Sequence, residues 1–195
     1  IRDSNRPMLL AQVEAAGCRP VDLGIARDDP ERIAAAIEEG VSRCDALVTT
    51  GGVSVGDYDY VKSVLESLGE MRWWQVAIKP AKPLAFGFVR GCPVFGLPGN
   101  PVSSNVSFEL FARPALLRMM GHQRIDRPVV TARAVAPLAR RPDGKVHFHR
   151  VAVMADDGAL VAAPSGRQES NVLTAMAAAN GLALLPDGSG VGPGE

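Results

Sequence analysis

The sequence predicts an α/β domain with a three-layer, mostly parallel sheet, followed by a small all-β domain. In the first part of the 195 residues, short apolar stretches alternate with segments of helical periodicity, which is the pattern of a parallel sheet covered by helices. After His122 the helical periodicity stops, and β-leaning segments separated by Asp-Gly turns follow. We therefore predict two domains, over residues 1–124 and 125–195.

The composition and the cysteine content argue against some classes of protein and favour others. Hydrophobic residues make up 47% of the chain, and 21 Lys plus Arg residues balance 21 Asp plus Glu residues. This balance argues against a nucleic-acid binder, which needs a basic excess to contact phosphates. The three scattered cysteines favour a reducing, cytoplasmic compartment over a disulfide framework or a zinc site. No signal peptide or bilayer-length apolar run is recognisable, and the chain opens on Ile1 without Met, which suggests a fragment.

The first half of the predicted α/β domain contains two helices and two strands. Asp3, Ser4 and Asn5 offer caps to a helix that runs to about residue 16. A short strand is expected over Arg19–Leu23. Asp29 and Pro30 start a second helix, since proline is favoured at the first helical position. Residues 45–50 then form a buried strand.

The second half continues the alternation of strands and helices. A helix is expected from about Tyr58 to Leu68, and a long helix from Pro101 to Met120, closed by Gly121. The β-leaning segments cover residues 72–78, 84–89 and 94–97.

The predicted β-domain consists of short strands joined by tight turns. Asp143-Gly144 and Asp156-Asp157-Gly158 supply the turns. Residues 186–195 are too sparse in apolar side chains to predict a strand. The strands are expected over 128–136, 146–154 and 159–163.

The first candidate binding loop covers residues 49–60 and follows a predicted strand. Gly51 and Gly52 allow the backbone to approach a ligand, and their N–H groups suit an anion. Asp57 and Asp59 have two interpretations, either caps of the next helix or oxygen ligands of Mg²⁺. For either aspartate taken alone, we weigh the two interpretations equally.

The second candidate loop contains Lys79 and Lys82, each directly before a proline. Proline restricts the backbone around both lysines, so the pair is preorganised to hold a phosphate or another oxyanion. The alternative is a solvated loop between strands.

The third candidate loop, residues 96–104, runs from a strand into Pro98-Gly99-Asn100-Pro101. Asn100 caps the following helix, and Ser103 lies in its first turn, so the helix start suits an anion or a polar ligand. Taken singly, this loop is more simply a helix cap.

Other polar residues are weaker candidates for a functional site. His147 and His149 alternate along a strand and should share one face. Arg150 and the loop 165–170 are polar positions that ordinary loop chemistry explains. No covalent nucleophile is recognisable.

Taken together, five segments resemble the molybdopterin molybdotransferase family, which comprises MoeA-type proteins and the E domain of gephyrin. The resemblance extends over nearly the whole chain, and the combination of loops is far more specific than any one glycine loop. The matching segments are Asp3-Ser4-Asn5, Arg27-Asp28-Asp29, residues 50–60, residues 79–83 and residues 96–103.

The resemblance implies a function in molybdenum cofactor biosynthesis. Such enzymes insert molybdate into adenylylated molybdopterin and hydrolyse the adenylate with Mg²⁺. It also implies a cytoplasmic homodimer with a molybdopterin-binding α/β domain and without nucleic-acid or membrane partners.

The resemblance also implies roles for individual residues. Asp59 would serve the hydrolysis or the metal together with Asp57, and Lys79 and Lys82 would hold oxyanions. The residues implied in binding the pterin ligand or molybdate are Gly51, Gly52, Ser54, Asp28, Pro98, Gly99, Asn100, Pro101, Ser103, Arg150 and Ser170.

The chain departs from the family pattern at both ends. Family members carry two further domains upstream and a strand before the first helix, and a further strand usually ends the β-domain. We therefore expect the first and last strands to be missing here, and weak binding without turnover for this chain alone.

Three other functions compete with the transferase. A molybdopterin adenylyltransferase has the same fold, but the second domain and the Lys-Pro pair argue against it. A gephyrin-like scaffold would bind receptor peptides. A nucleotide-binding module would bind ATP or AMP without any response to molybdate.

Overall fold

The computed structural model describes residues 2–53 and 60–195. The chain divides into two compact units. Unit 1 comprises Ile1–Val76 and Ala81–Asp126, and unit 2 comprises Ala77–Pro80 and Arg127–Glu195. The short segment Ala77–Pro80 belongs to unit 2 because its strand joins the sheet of that unit.

Helices and strands alternate through unit 1, whereas unit 2 is mostly β. In chain order the elements are α1 (Asn5–Ala15), α2 (Pro30–Arg43), β1 (Leu47–Thr50), α3 (Tyr60–Leu68), β2 (Gly69–Gln75), β3 (Ile78–Lys79), β4 (Pro83–Val89), β5 (Cys92–Leu97), α4 (Pro101–Ser107), a π-helical turn (Phe108–Ala112), α5 (Arg113–Met119), β6 (Arg133–Ala134), β7 (Leu138–Ala139), β8 (Val146–Asp156), β9 (Ala159–Pro164), α6 (Leu173–Ala177), β10 (Gly181–Leu185) and β11 (Gly190–Val191). The predicted fold class, an α/β domain followed by a small β-domain, is confirmed.

The sheet of unit 1 has the strand order β1-β5-β4-β2 and is mixed, so the prediction of a mostly parallel sheet is wrong for the described strands. β1 and β5 pair in parallel, whereas β4 pairs antiparallel with both β5 and β2. The reason is local: Arg90 and Gly91, both with positive φ, form a two-residue turn that joins β4 directly to β5. Such turns produce antiparallel pairs.

Two separate apolar clusters lie on the two faces of this sheet, which makes unit 1 a three-layer domain. Helices α1 and α5 cover one face, and helices α2 and α3 cover the other. The first cluster includes Leu9, Phe95, Leu97, Phe108 and Leu116. The second includes Ile33, Ile37, Leu65, Val89 and Val94.

Helix α2 illustrates how local sequence fixes an element. Asp29 caps it by accepting a 2.9 Å hydrogen bond from the backbone N–H of Arg32, as predicted. A Cβ atom at Gly40 would lie 2.8 Å from the side chains of both Leu23 and Leu47. Glycine at this position therefore lets α2 approach β1 closely.

The long helix predicted over 101–120 forms, but with an internal π-helical turn between α4 and α5. Pro114 follows this turn and has no N–H group to donate to the preceding turn of an α-helix. A local change of hydrogen-bond pattern lets the helix continue past the proline.

The strand predicted over Arg19–Leu23 is wrong, because the segment belongs to no sheet. β1 pairs with β5 along one edge and with no described strand along the other. A cavity of about 1350 Å³ lies beside β1, lined by α1, α2, α5 and the segment from Gly17 to Ala26. Without a neighbouring strand to complete the hydrogen-bond ladder, Arg19–Leu23 cannot form β-structure.

The main sheet of unit 2 has the order β10-β8-β9-β6, with β3 also pairing with β8, and β7 pairs with β11 in a second sheet. The predicted turn between β8 and β9 is confirmed, since Asp157 and Gly158 both adopt positive φ. The strand predicted over 128–136 shrinks to β6, and Val129, which is 95% exposed, has no surface to pack against. The sequence analysis missed α6, β7, β10 and β11, and β11 lies within the stretch 186–195 that predicted no strand.

Within the described part of the chain, no helix is both long enough and apolar enough to cross a membrane.

Candidate functional site

The first and third candidate loops meet at one edge of the unit 1 sheet. Because β1 and β5 are parallel neighbours, their carboxyl ends lie side by side. The Gly51 N–H donates a 3.0 Å hydrogen bond to the Leu97 carbonyl. A Cβ atom at Gly99 would lie 3.5 Å from the Cα of Gly51, so the two loops are in close approach. Ligands of open α/β sheets bind at such an edge.

A chain of hydroxyl and amide groups joins these two loops. The Thr50 Oγ1 donates to the Pro98 carbonyl at 3.0 Å and lies 3.2 Å from the Ser104 Oγ. Since a hydroxyl has one proton, Ser104 must donate to Thr50 in this arrangement. The Asn5 Nδ2 donates at 2.8 Å to both the Thr50 Oγ1 and the Gly99 carbonyl.

The second candidate loop contributes Lys82 to the same edge. β4 runs antiparallel to β5 with Ala85 opposite Gly96, and the same register places Pro83 opposite Pro98. Lys82, immediately before β4, therefore lies near the carboxyl ends of β1 and β5. Its side chain is exposed, and its carbonyl accepts a 2.7 Å hydrogen bond from the Val76 N–H. An accessible ammonium beside glycine N–H groups and hydroxyls suits an oxyanion.

The other predicted residues of the third loop surround the start of α4. Pro98 is buried, whereas Gly99 and Asn100 are exposed. Pro101 is the first residue of α4, as predicted, and Ser103 is buried in its first turn.

Asp28 precedes α2 and is exposed. It lines the same cavity as Gly51 and Gly52.

The proposed catalytic and metal-binding part of the first loop is not described. Ser54, Asp57 and Asp59 lie outside the described residues. In residues 2–53 and 60–195, no group of three or more His, Cys, Asp or Glu side chains is arranged to hold a metal ion.

Unit 2 holds the remaining predicted residues. Lys79 on β3 lies opposite His147 on β8 and is exposed. Arg150, also on β8, is only 1% exposed, and its Nη2 donates at 3.2 Å to the carbonyls of Arg167 and Glu169. Gln168 fixes the same loop, since its side chain accepts from the Arg150 N–H and donates to the Arg150 carbonyl.

The buried Arg150 side chain retains hydrogen-bonding capacity that the described residues do not use. The Arg150 Nε is buried and has no hydrogen-bond partner in the described parts of the chain. Ser170 is half-buried on the loop that Arg150 contacts. A buried guanidinium with an unpaired N–H is a group that an anion would satisfy.

The two histidines on β8 share a face, as predicted, with ring centroids 5.9 Å apart. Burial, together with positive charge on Arg150 and on His147 when that ring is protonated, lowers the pKa of His149 to about 4. Burial also lowers the pKa of His147, although its hydrogen bond to Asp143 opposes that shift. Both rings are therefore neutral near pH 7.

Arg140 is a second buried cation of unit 2 that the sequence analysis did not single out. Its side chain is fully buried and donates to the carbonyls of Lys145 at 2.6 Å, Leu185 at 3.2 Å and Pro186 at 2.9 Å. It also donates to the carboxylates of Asp143 at 2.9 Å and Asp187 at 2.5 Å. Arg140 thereby ties the turn before β8 to the end of β10.

The structure thus brings together one group of predicted residues in each unit. The group in unit 1 consists of Gly51, Gly52, Lys82, Pro98, Gly99, Asn100, Pro101 and Ser103, and Asp28 lines the same cavity as Gly51 and Gly52. In unit 2, Arg150 contacts the loop that carries Ser170, whereas Lys79 pairs with His147 and so lies on the opposite face of the sheet from Arg150. The sequence analysis missed the joining roles of Asn5, Thr50 and Ser104, because hydrogen bonds between distant segments leave no periodic signal. For Asn5, its place in the Asp3-Ser4-Asn5 segment was the one available hint.

Two family models together match most of the chain. Residues 1–118 match a model described as a probable molybdopterin binding domain. Residues 132–195 match a model described as the MoeA C-terminal region, domain IV.

The chain is similar to characterised relatives along its whole length. It is 32% identical over 197 residues to the molybdopterin molybdenumtransferase of Haemophilus influenzae, with 100% of this chain and 49% of the relative covered. It is 35% identical to that of Bacillus subtilis, with 97% of this chain and 44% of the relative covered. The chain therefore spans about half the length of the relatives it matches.

The chain is also similar to a solved structure. The molybdopterin biosynthesis MoeA protein from Pyrococcus horikosii superposes with a TM-score of 0.79 at 33% identity, covering 95% of this chain and 44% of that one.

Proposed function

Because this chain belongs to the MoeA family of molybdopterin molybdenumtransferases, we propose that it provides the ligand-binding edge of a molybdenum cofactor biosynthesis enzyme. The proposed enzyme inserts molybdate into adenylylated molybdopterin and hydrolyses the adenylate. Adenylylated molybdopterin and molybdate are the proposed substrates, and Mg²⁺ is the proposed cation.

The observation that carries this proposal is the convergence of three loops in unit 1. Gly51 and Gly99 approach each other where β1 and β5 end, and Lys82 lies at the same edge. Glycine backbone and one mobile ammonium form a surface for a flat ligand that carries phosphate groups. We assign the pterin and its phosphates to this edge.

We propose that each group at this edge has a distinct task. The Gly52 N–H and the exposed backbone at Gly99 contact the ligand, and the Lys82 ammonium neutralises a phosphate or molybdate oxygen. Pro98 and Pro101 restrict the third loop, and Asn100 and Ser103 supply polar groups to it. Asp28 accepts hydrogen bonds from ligand N–H or O–H groups.

We propose that hydrolysis depends on the first loop. Asp59 would accept the proton of the water that attacks the adenylate, and Asp57 would act with Asp59 on Mg²⁺. Both aspartates lie outside the described residues. The roles of Asp57 and Asp59 therefore rest on the sequence of the loop.

We also propose an oxyanion-binding role in unit 2 for Lys79, Arg150 and Ser170. The buried Arg150 Nε, which has no hydrogen-bond partner among the described residues, supports this role. We propose a homodimer and a cytoplasmic location, the latter supported by the scattered cysteines.

The test is the substitution Asp59→Asn in the full-length protein. It removes the proton acceptor with little change in shape, so we expect adenylate hydrolysis to fall by about 100-fold or more. Binding of adenylylated molybdopterin should stay within a few fold of wild type. Unchanged hydrolysis would overturn the assignment of Asp59.

A matched control is Asp45→Asn. Asp45 is an exposed aspartate that precedes β1 and so lies at the opposite end of that strand from the glycine loop. This variant should hydrolyse the adenylate at the wild-type rate.

A further inference from the structure

We infer that Asn5 is a positioning residue that holds the first and third loops together at the proposed ligand-binding edge. Asn5 is the first residue of α1, yet it is only 8% exposed. A buried amide needs hydrogen-bond partners, and the partners of Asn5 lie in both loops.

The orientation of the Asn5 amide is determined by its partners. Nδ2 lies 2.8 Å from the Thr50 Oγ1 and 2.8 Å from the Gly99 carbonyl oxygen. A carbonyl oxygen only accepts hydrogen bonds, so the NH₂ group must face Gly99. Both protons of the amide are therefore used, one on each loop.

Thr50 extends the effect of Asn5 to the start of α4. Its hydroxyl contacts the Pro98 carbonyl at 3.0 Å and the Ser104 hydroxyl at 3.2 Å. One amide group thus couples four segments: the start of α1, the end of β1, the turn at Pro98 and Gly99, and the first turn of α4.

The other end of the Asn5 side chain indicates that stability is not its main role. Its Oδ1 is buried and has no hydrogen-bond partner among the residues that the structure describes. An unpaired buried acceptor destabilises the folded state, so an apolar side chain would be the simpler way to fill this space. Retention of the amide is explained by the fixed spacing that its NH₂ group imposes on the two loops.

The expected effect of Asn5 on ligand binding rests on the proposed function. The hydrogen bonds from Asn5 to the two loops do not. If the loops bind the ligand, Asn5 preorganises the glycine backbone and the Pro98-Gly99 turn before the ligand arrives. If they do not, Asn5 still restricts their motion.

The first experiment is amide hydrogen exchange on Asn5→Ala and Asn5→Asp. Alanine removes both hydrogen bonds, and aspartate keeps the shape but places an oxygen against the Gly99 carbonyl. We expect exchange in residues 49–53 and 99–104 to accelerate about tenfold or more in both variants, while α2 stays near wild type.

Ile37→Val is the matched control for general destabilisation. Ile37 is a buried residue of the α2 core, and losing one methylene loosens unit 1 without touching either loop. Exchange in this variant should rise across unit 1 instead of selectively in the loops. Exchange in the Asn5 variants that is unchanged, or raised uniformly as in this control, overturns the inference.

The second experiment measures binding of adenylylated molybdopterin to the full-length protein. Asn5→Ala should weaken binding about tenfold or more, and Ile37→Val should not. Selective loop exchange with no binding by the wild type would overturn the proposed function and leave the Asn5 contact standing. Equal binding by wild type and Asn5→Ala would overturn the positioning of the ligand by Asn5.

Discussion

The two units bury chemically different polar side chains. The polar side chains that unit 1 buries in its described part are neutral: Asn5, Ser103, Ser104 and Ser107. Those that unit 2 buries are Arg140, His147, His149 and Arg150, which are cationic or can become so. The two units therefore fix their backbones with different groups, neutral side chains in unit 1 and cationic or titratable side chains in unit 2.

Neutral groups fix the loops of unit 1 without introducing charge. An amide and two hydroxyls do not titrate in the ordinary pH range, so their geometry should not depend on pH. The positive charge at that edge comes from Lys82, which is exposed.

Charged groups in unit 2 instead hold strands together, and they affect each other's ionisation. Burying a guanidinium is costly unless its N–H groups are bonded. Both terminal NH₂ groups of Arg140 are bonded, to the carbonyls of Lys145, Leu185 and Pro186 and to two carboxylates, while its Nε has no partner among the described residues. The neighbouring histidines remain neutral because burial and nearby positive charge oppose their protonation. Unit 2 should therefore be the more sensitive of the two to charge removal and to acid.

The largest effect should come from Arg140→Ala. It leaves several buried carbonyls without donors, so we expect unit 2 to lose about 3–5 kcal/mol of stability. Hydrogen exchange in β8 and β10 would measure this loss, with α2 of unit 1 unchanged. Arg141→Ala, at the exposed neighbouring position, should have little effect. Equal stability of the two variants would contradict the role of Arg140.

The next effect is a loss of stability in acid that is confined to unit 2. His149 has a folded pKa of about 4, against about 6.5 in the unfolded chain. Between these values the unfolded state binds more protons, so stability is complete above pH 6.5 and falls as pH drops toward 4. We expect a loss of roughly 2–3 kcal/mol across this range.

His149→Gln tests the source of that loss. The dependence on pH should become much shallower, and the remainder should come from His147, whose pKa is also lowered. Exchange in β8 and β9, measured from pH 6.5 to 4.5, would show the change. His122→Gln, at an exposed histidine of unit 1, should keep the wild-type dependence.

A smaller effect is expected for the neutral contacts of unit 1. Ser104→Ala removes the hydroxyl that lies 3.2 Å from the Thr50 Oγ1. We expect a loss of about 1 kcal/mol in unit 1 that is equal at pH 7 and pH 4.5. A denaturation series at both pH values would measure it, and a loss that grows in acid would contradict the contrast between the two units.

The smallest effect should come from an exposed ion pair. Arg43 and Glu39 pair one turn apart on α2, with side chains 55% and 54% exposed. Water screens this pair, so Arg43→Ala should change stability by less than about 0.5 kcal/mol. A loss as large as that of Arg140→Ala would show that burial is not what distinguishes the charges of unit 2.

The sequence predicted the features that depend on neighbouring residues. The Asp29 cap of α2 and the turn at Asp157 and Gly158 are local, and both are confirmed. The segment Arg19–Leu23 has strand-like composition, but a strand also needs a partner, and composition carries no information about one. The mixed sheet was not predicted either. The antiparallel pairing of β4 with β5 follows from the tight turn at Arg90 and Gly91, which the sequence analysis did not identify.

The candidate site, like the fold, has parts that the local sequence predicted and parts that depend on contacts between distant segments. The three loops were recognisable because glycines, prolines and lysines cluster in the sequence, and the parallel pairing of β1 and β5 explains why two of them meet. The roles of Asn5 and Arg140 were not recognisable, since Asn5 contacts Gly99 from 94 residues away and Arg140 contacts Asp187 from 47 residues away. Such contacts are visible only once the chain has folded.

The central claim is that the edge formed by Gly51, Gly99 and Lys82 binds adenylylated molybdopterin. Calorimetric titration of the full-length protein with this ligand, with and without molybdate and Mg²⁺, tests it most directly. We predict saturable binding that molybdate or Mg²⁺ strengthens and that Lys82→Ala weakens about tenfold or more. Absence of saturable binding, or equal binding by Lys82→Ala, would contradict the claim.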